Sequence, residues 1–551
     1  MNADPHMKAR SAVIIAGAGP VGLALALDLG RQGIDCLVLD GEIRDPGDRP
    51  NKRANAINTR AMEYMRRLGV SPHIHSAVAR HPHLTRDVAF VTSLTGVELF
   101  RFVDAFESSP EPPEPGLSPE EYLRIDQDEI AAILRTEIEA LDCVGICGGW
   151  RFVSLRQIGE EVEVVTRHLE TGAERTLHAR YLVGCDGGAS DVRRQSGIGF
   201  DGEGGRGQNI NISFVSPDLN AVNVHPVASM YWIVNPAING FAGGNLRSWR
   251  LTLFSVSPEE EEAIRAAPQR FIDTLAGRPV TADVRSIDRW TAHHLVANRY
   301  SDGNVFLAGD AAHLHPPTGG LGMNTGLGDA SNLGWKLAAV IKGWAGEALL
   351  ASYDQERRPI GTRVVSQSNH QYNLRPIRYW TKDLLADGPA GDAARAQAAK
   401  RIEAEKATEF FSRGLVLGQT YDASPVIIGD GSPTLNTEVI PYTPTAQPGA
   451  RLPHAMLASG SIYDALAPDG MTLLAAQAGA MTGTILATAE KIGIPMTLIG
   501  LDTALTAVYG ADYLLVRPDG HVAWRGNEAI SEAGLRRVTG RDTPPGSPAL
   551  G

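Results

Sequence analysis

The chain has 551 residues, 43% hydrophobic and 21% charged, with a formal net charge of -12. That length exceeds one compact core and requires two or three domains, and the acidic balance excludes a surface built to track nucleic-acid phosphates. No apolar run approaches the ~18 residues of a membrane-spanning helix, and the four cysteines (Cys36, Cys143, Cys147, Cys185) lack C-x-x-C spacing, as expected of a reduced cytoplasmic protein without disulfides.

The N-terminal "MNADPHMKARSAVIIAGAG" runs into a glycine motif rather than a cleavage site, so no signal peptide is expected. Residues 12 to 40 read strand, glycine turn, helix, strand: "AVIIAGAG" and "DCLVLD" are apolar, and "PVGLALALDLGRQG" is helical. A helix follows at 58–68, ended by Gly69. Alternation from 84 to 103 predicts strands, and the proline-rich 107–119 a loop. "DQDEIAAILRTEIEAL" sets Ile130, Ile133, Leu134, Ile138 and Leu141 on one helical face. Residues 161–184 read as two strands and 208–256 as mostly alternating strand. Helix then extends to about residue 375, and an Ala-, Lys- and Glu-rich connector covers 391–411. Beyond it lie the strand "MTLLAAQAG", the helix "TILATAEKIG", the strand "MTLIGL" and a hairpin turning at Pro518-Asp519-Gly520.

Gly17-Ala18-Gly19-Pro20-Val21-Gly22 matches G-x-G-x-x-G, with Asp40 closing the second strand. Such glycines let backbone approach a diphosphate at a helix N-terminus, and the acid suits a ribose hydroxyl. The matches at 197–202 and 202–207 lack a preceding apolar strand and a following helix, and read as turns before a strand. "VGCDGGASDVRR" places Asp186 at a strand end, followed by Ser190 and Arg193; ligand binding and helix capping both fit. "LAGDAAHLHPPTGGLGMNTG" repeats the arrangement with Asp310 and then offers several backbone amides at a helix start, where negative charge is favoured.

Together these motifs resemble the single-component FAD-dependent aromatic hydroxylases of the para-hydroxybenzoate and phenol hydroxylase type. The likeness rests on Gly17–Gly22, Asp186-Gly187-x-x-Ser190-x-x-Arg193, Gly309-Asp310-Ala311-Ala312-His313, the run Pro316–Asn324 with "NLGWKL", and "SYDQERRP" at 352–359. It implies an α/β fold in which a Rossmann-type FAD-binding domain (10–85, 120–200, 297–375) interleaves with a β-sheet substrate domain (86–119, 201–296). A helical connector (376–414) and a thioredoxin-like C-terminal domain (415–551) would follow. The C-terminal region holds no cysteine, so dithiol chemistry is excluded there and a structural or dimerising role is expected.

By the same resemblance Asp310 holds a ribityl hydroxyl of FAD, and Pro317 and Gly320-Leu321-Gly322-Met323-Asn324 face the flavin's pyrimidine edge. Gly17, Gly19, Pro20, Val21 and Gly22 hold the diphosphate, with Asp40, Arg53, Gln127, Asp186 and Arg193 as further contacts. Leu321 stands where the family often carries a polar residue, and Gly41-Glu42 where a basic one is frequent. The implied reaction is hydroxylation of a small phenolic or aromatic substrate, with O2, NADPH or NADH as co-substrates and a flavin C4a-hydroperoxide as oxidant. The alternatives are Baeyer–Villiger oxidation or epoxidation of a polycyclic natural product, or a flavin dehydrogenase. No second strand–glycine–helix unit for NAD(P)H is present, which disfavours enzymes with two dinucleotide domains. Tyr231, His225 and His294 are the candidates for substrate anchor or base. His313 and His315 lack a third ligand, so no metal is expected. A homodimer without nucleic-acid or membrane partners completes the expectation.

Overall fold

The structure, a computed structural model, describes residues 7–42, 56–80, 85–106, 116–205, 207–244, 248–435, 438–477 and 479–541. Arg53 lies outside the described residues.

An eight-stranded sheet organises the first part of the chain. Val305–Leu307, Glu174–Gly184, Arg10–Ala16, Cys36–Asp40 and Val144–Gly148 lie side by side in that order, and each pair is parallel. Ile14 stands between Leu37 and Leu182 in register. A parallel sheet is covered on both faces, which explains why "VIIA" and "CLVL" are apolar throughout rather than alternating. The helices Pro20–Arg31 and Gly322–Ile341 pack against each other over this sheet. Their Leu27 and Leu333 are fully buried, each worth about 1.5–3 kcal/mol relative to exposure. Glu174–Gly184 also pairs antiparallel with Glu161–His168, which in turn pairs with Trp150–Ile158.

A second sheet has seven strands in the order Asp283–Thr291, Gln208–Val215, Trp249–Leu253, Ile238–Gly244, Met230–Asn235, Val88–Val91, Glu98–Phe102. Its two faces bury different cores. One carries Ile210, Ile212, Tyr231, Ile233 and Leu251 beneath the helices Pro258–Ala266 and Pro268–Ala276. The other carries Phe90, Trp232, Phe254, Tyr372 and Phe410. Phe200–Glu203, His294–Ala297 and His313–Leu314 form a small sheet of their own. Gly202 lies in its first strand, so neither of the later glycine-rich matches opens a helix.

The last sheet orders Met496–Gly500, Met471–Ala475, Tyr513–Val516, Val522–Gly526, the first two parallel and the rest antiparallel. Its helices are Ala480–Lys491, Thr503–Tyr509 and Glu532–Val538. A parallel β-α-β pair followed by a hairpin and a helix is the arrangement expected of a thioredoxin-like unit. It is not an isolated body. Met471, Leu473 and Ala475 belong to the same apolar cluster as Leu27 and Leu333. Arg517 clamps Glu356 bidentately at 2.7 and 2.8 Å, Lys336 reaches the same carboxylate at 2.7 Å, and Trp335 donates to Asp519 at 3.2 Å.

Candidate active site

Four motif loops meet at one edge because their strands are parallel neighbours. Leu307 leads to Asp310, Gly184 to Asp186, Ala16 to Gly17, and Asp40 ends its own strand. Packing confirms the meeting. A methyl on Gly17 would lie 2.3 Å from the Cys185 carbonyl oxygen, and one on Gly309 would lie 3.2 Å from the Val21 side chain. In open α/β sheets this carboxyl edge is where ligands bind.

The turn 17–22 is tight inward and open outward. A Cβ on Gly22 would stand 2.1 Å from the Gly17 carbonyl oxygen, whereas one on Gly19 would meet nothing within 4 Å. Gly19 caps the helix Pro20–Arg31 without any side-chain hydrogen bond, so the first amides face open space. Asp40 braces this turn by accepting from the Ala18 amide and the Glu42 amide, each at 2.8 Å. Asp186 accepts from Ser190 Oγ at 2.5 Å and from the amides of Asp191 and Val192 at 2.8 and 3.1 Å. Burial raises its pKa against those bonds. Arg193 donates to the Ile198 carbonyl at 2.9 Å and lies 3.9 Å over the Phe200 ring. Gln127 is partly exposed and opens the helix Gln127–Glu139.

The second open helix end is the turn Thr318–Gly320 leading into Gly322–Ile341. Gly319 and Gly320 hold φ of 80° and 66° there, a left-handed backbone suited to glycine. Leu321 caps the helix without a side-chain bond. Asn324 staples the turn: it donates to the Gly320 carbonyl at 2.8 Å and accepts from the Asn58 amide at 2.8 Å. Thr318 is tied to the Ser368 carbonyl at 2.6 Å. Pro317 and Asp310 are exposed beside this turn, and Met323 is buried behind it. Behind the Asp310 loop, Asp329 accepts from the Gly309 amide, His313 Nε2 and Arg357 Nε at 3.1, 2.9 and 2.9 Å. Burial would raise its carboxyl, but Arg357 and His313 hold it low. His313 is thus a brace. His315 is pushed down to about 4 by burial and by His313, and no group of metal-ligating side chains occurs among the described residues.

The candidate substrate residues scatter. Tyr231 points to the sheet face covered by Pro258–Ala266 and Pro268–Ala276, its hydroxyl held by the Asn223 amide group and the Ala228 N–H at 2.8 and 2.9 Å. His225 packs against the Ser93 carbonyl at 3.2 Å. His294 opens the strand His294–Ala297 in the small sheet. The opposite face of the seven-stranded sheet holds a continuous row in register: Asp288, Asn211, Thr252, Phe241, Trp232, Phe90. Half is polar and half aromatic. Arg250 flanks the polar half; burial lowers its pKa against the charges of Asp126 and Asp288. Sequence reasoning missed this row, because Tyr231 and Trp232 are adjacent and alternation alone does not say which faces the ligand.

These features fit FAD: two uncapped helix starts, an open space above Gly19, and acids at three neighbouring strand ends. The family profile described as FAD binding domain matches residues 10–368, and the one described as aromatic-ring hydroxylase, C-terminal, matches 445–542. Aklavinone 12-hydroxylase RdmE of Streptomyces purpurascens is 32% identical across 96% of this chain and 99% of that relative. The 2,4-dichlorophenol 6-monooxygenase of Cupriavidus pinatubonensis is 29% identical across 96% of each. Among solved structures, RebC with bound 7-carboxy-K252c superposes with a TM-score of 0.86 at 31% identity, covering 97% of this chain and 100% of that one. The chain belongs to the FAD-dependent aromatic-ring hydroxylases and is a flavin monooxygenase.

Proposed function

We propose that this monooxygenase hydroxylates a planar, hydroxyl-bearing aromatic compound held at the half-exposed part of the row, Asp288, Asn211 and Phe241, with the buried Trp232 and Phe90 backing it, opposite the turn Thr318–Gly320. The row carries the reading: a flat aromatic strip beside a polar end suits a flat substrate with an oxygen at one edge. Relatives named for dichlorophenol and aklavinone support the substrate class.

In this reading the turn 17–22 holds the FAD diphosphate, Asp40 the adenosine ribose and Asp310 the ribityl chain. Amides from 320 to 324 hold the pyrimidine edge, with Gln127, Asp186 and Arg193 as outer contacts. Bound FAD, reduced by NADPH or NADH, supplies oxygen transfer from O2. The chain's own work is electrostatic and steric. The helix start at Gly322 favours negative charge on the group it faces. Phe90, Trp232, Phe254 and Phe410, packed behind Phe241, exclude water from that side. Asn211, held by the Thr252 hydroxyl at 3.0 Å, and Arg250 orient the substrate oxygen, and the guanidinium favours its ionised form. The proposal includes a cytoplasmic homodimer; its supports are four thiols outside any disulfide and an exposed edge strand, Met496–Gly500, with Leu498 outward.

The test is one preparation of the FAD-loaded enzyme with NADPH or NADH, O2 and a panel of phenols and polycyclic phenols. Oxygen uptake should rise with a member of the panel, and the product should gain one oxygen on the ring. Uptake that no aromatic stimulates would refute the reading; insertion of the oxygen between a ketone carbonyl carbon and its neighbour, giving a lactone, would convert it to a Baeyer–Villiger reaction. Size exclusion of the same sample should give twice the monomer mass, and a monomer peak would remove the dimer.

A further inference from the structure

The helix Pro389–Phe410 carries Lys406 and Glu409 one turn apart, and both are buried, at 0% and 4% exposure. They form an ion pair. A buried ion pair seldom repays its desolvation, and apolar side chains of similar size would hold a helix as well. Its surroundings indicate another use. Lys406 Nζ lies 4.2 Å from the Trp232 ring centroid, on the aromatic face of the seven-stranded sheet. On the other side, Glu409 stands beside Gly319: its backbone carbonyl oxygen lies 3.9 Å from where a methyl on that glycine would stand, and the Gly319 amide favours its ionised carboxylate. Gln371 and Gln367 clamp the intervening Thr408 at 2.5 and 3.0 Å, holding this helix end against Glu347–Asn373. The pair therefore spans from the aromatic row to the turn whose next amides are those of 320–324.

A carboxylate beside the first glycine of that turn places a negative charge near amides that serve to attract one. Lys406 answers that charge at contact range. Burial pushes Lys406 down and Glu409 up, each opposed by its partner, so each ion depends on the other. We propose that Lys406 and Glu409 form a charge-compensated brace beside the turn: Lys406 cancels the charge that Glu409 brings there, so that the turn favours reduced, anionic FAD. This rests on the reading that the FAD pyrimidine edge meets residues 320–324.

The experiment measures flavin midpoint potentials in the FAD-loaded full chain, at neutral pH, for wild type, Lys406→Met, Glu409→Gln and the double variant. Lys406→Met should shift the balance against reduced FAD about tenfold, a fall of ~30 mV for two electrons. Glu409→Gln should raise the potential by a similar amount, and the double variant should return near wild type. Unchanged potentials, or both single variants moving in one direction, would overturn the proposal. If Lys406→Met does not fold, Glu409→Gln against the double variant still decides it: equality with wild type in both overturns the brace. A chain that takes up no FAD would instead refute the cofactor placement.

Discussion

Gly19 and Gly22 are interchangeable letters in the motif yet face opposite environments. A methyl on Gly22 would collide with the Gly17 carbonyl oxygen at 2.1 Å, while one on Gly19 would enter space the protein leaves open. Gly22→Ala should therefore lower the melting temperature of the FAD-free protein as well as its affinity. Gly19→Ala should leave that temperature unchanged and weaken FAD at least about tenfold, ~1.4 kcal/mol. Calorimetry of the FAD-free chain and FAD titration separate the two; wild-type affinity in Gly19→Ala would contradict a diphosphate at this turn. The motif was legible in the sequence because backbone sterics demand glycine there. The bond that staples the Thr318–Gly320 turn was not, because Asn58 to Asn324 crosses 266 residues.

Strand Met230–Asn235 is buried along nearly its whole length, so its composition does not reveal its two faces. The pleat does: Tyr231 pairs with Ala242 and Ala89, Trp232 with Phe241 and Phe90. Tyr231→Phe should cost stability, about 1–3 kcal/mol, by leaving the Asn223 and Ala228 donors unpaired, while kcat/KM stays near wild type. Trp232→Leu should raise KM for the aromatic substrate about tenfold. Denaturant melts and steady-state kinetics on both variants check this, and a kinetic defect confined to Tyr231→Phe would reverse the assignment of faces. Other elements were easier. Gln127–Glu139 buries Ile130, Leu134 and Ile138 on the stripe its period predicts. Trp150–Ile158 escaped, because only its first residues are buried and its last three are exposed.

At the scale of the whole molecule, buried charge locks the C-terminal unit to the rest. Arg517 holds Glu356 and Asp519, and Arg451 holds Glu63. Removing one partner strands a buried charge, so Arg517→Met should cost about 3–5 kcal/mol and open residues 413–445 to protease. Equal protease resistance would show that apolar packing alone docks this unit. Acid should act on the same seam. Burial would raise Glu63, yet Arg451 holds it at about 2. Its stabilisation is complete above the ordinary glutamate value of ~4.3 and is lost as pH falls through about 2. The sequence around 451 and 517 does not mark these arginines as buried, since Glu63 lies 388 residues from Arg451 and Glu356 lies 161 from Arg517.

The sequence by itself determined the nucleotide turn, the acids at strand ends and the glycine-rich helix entrance. Each is a local demand of backbone geometry, readable from a few consecutive residues. Only the tertiary structure decided that the motif loops share one edge, that Trp232 and Tyr231 close on different cores, and that a connector helix carries a buried lysine and glutamate to the Gly319 turn. Those outcomes follow from which strands pair and which faces close on each other, and pairing is settled by long-range burial rather than by local preference.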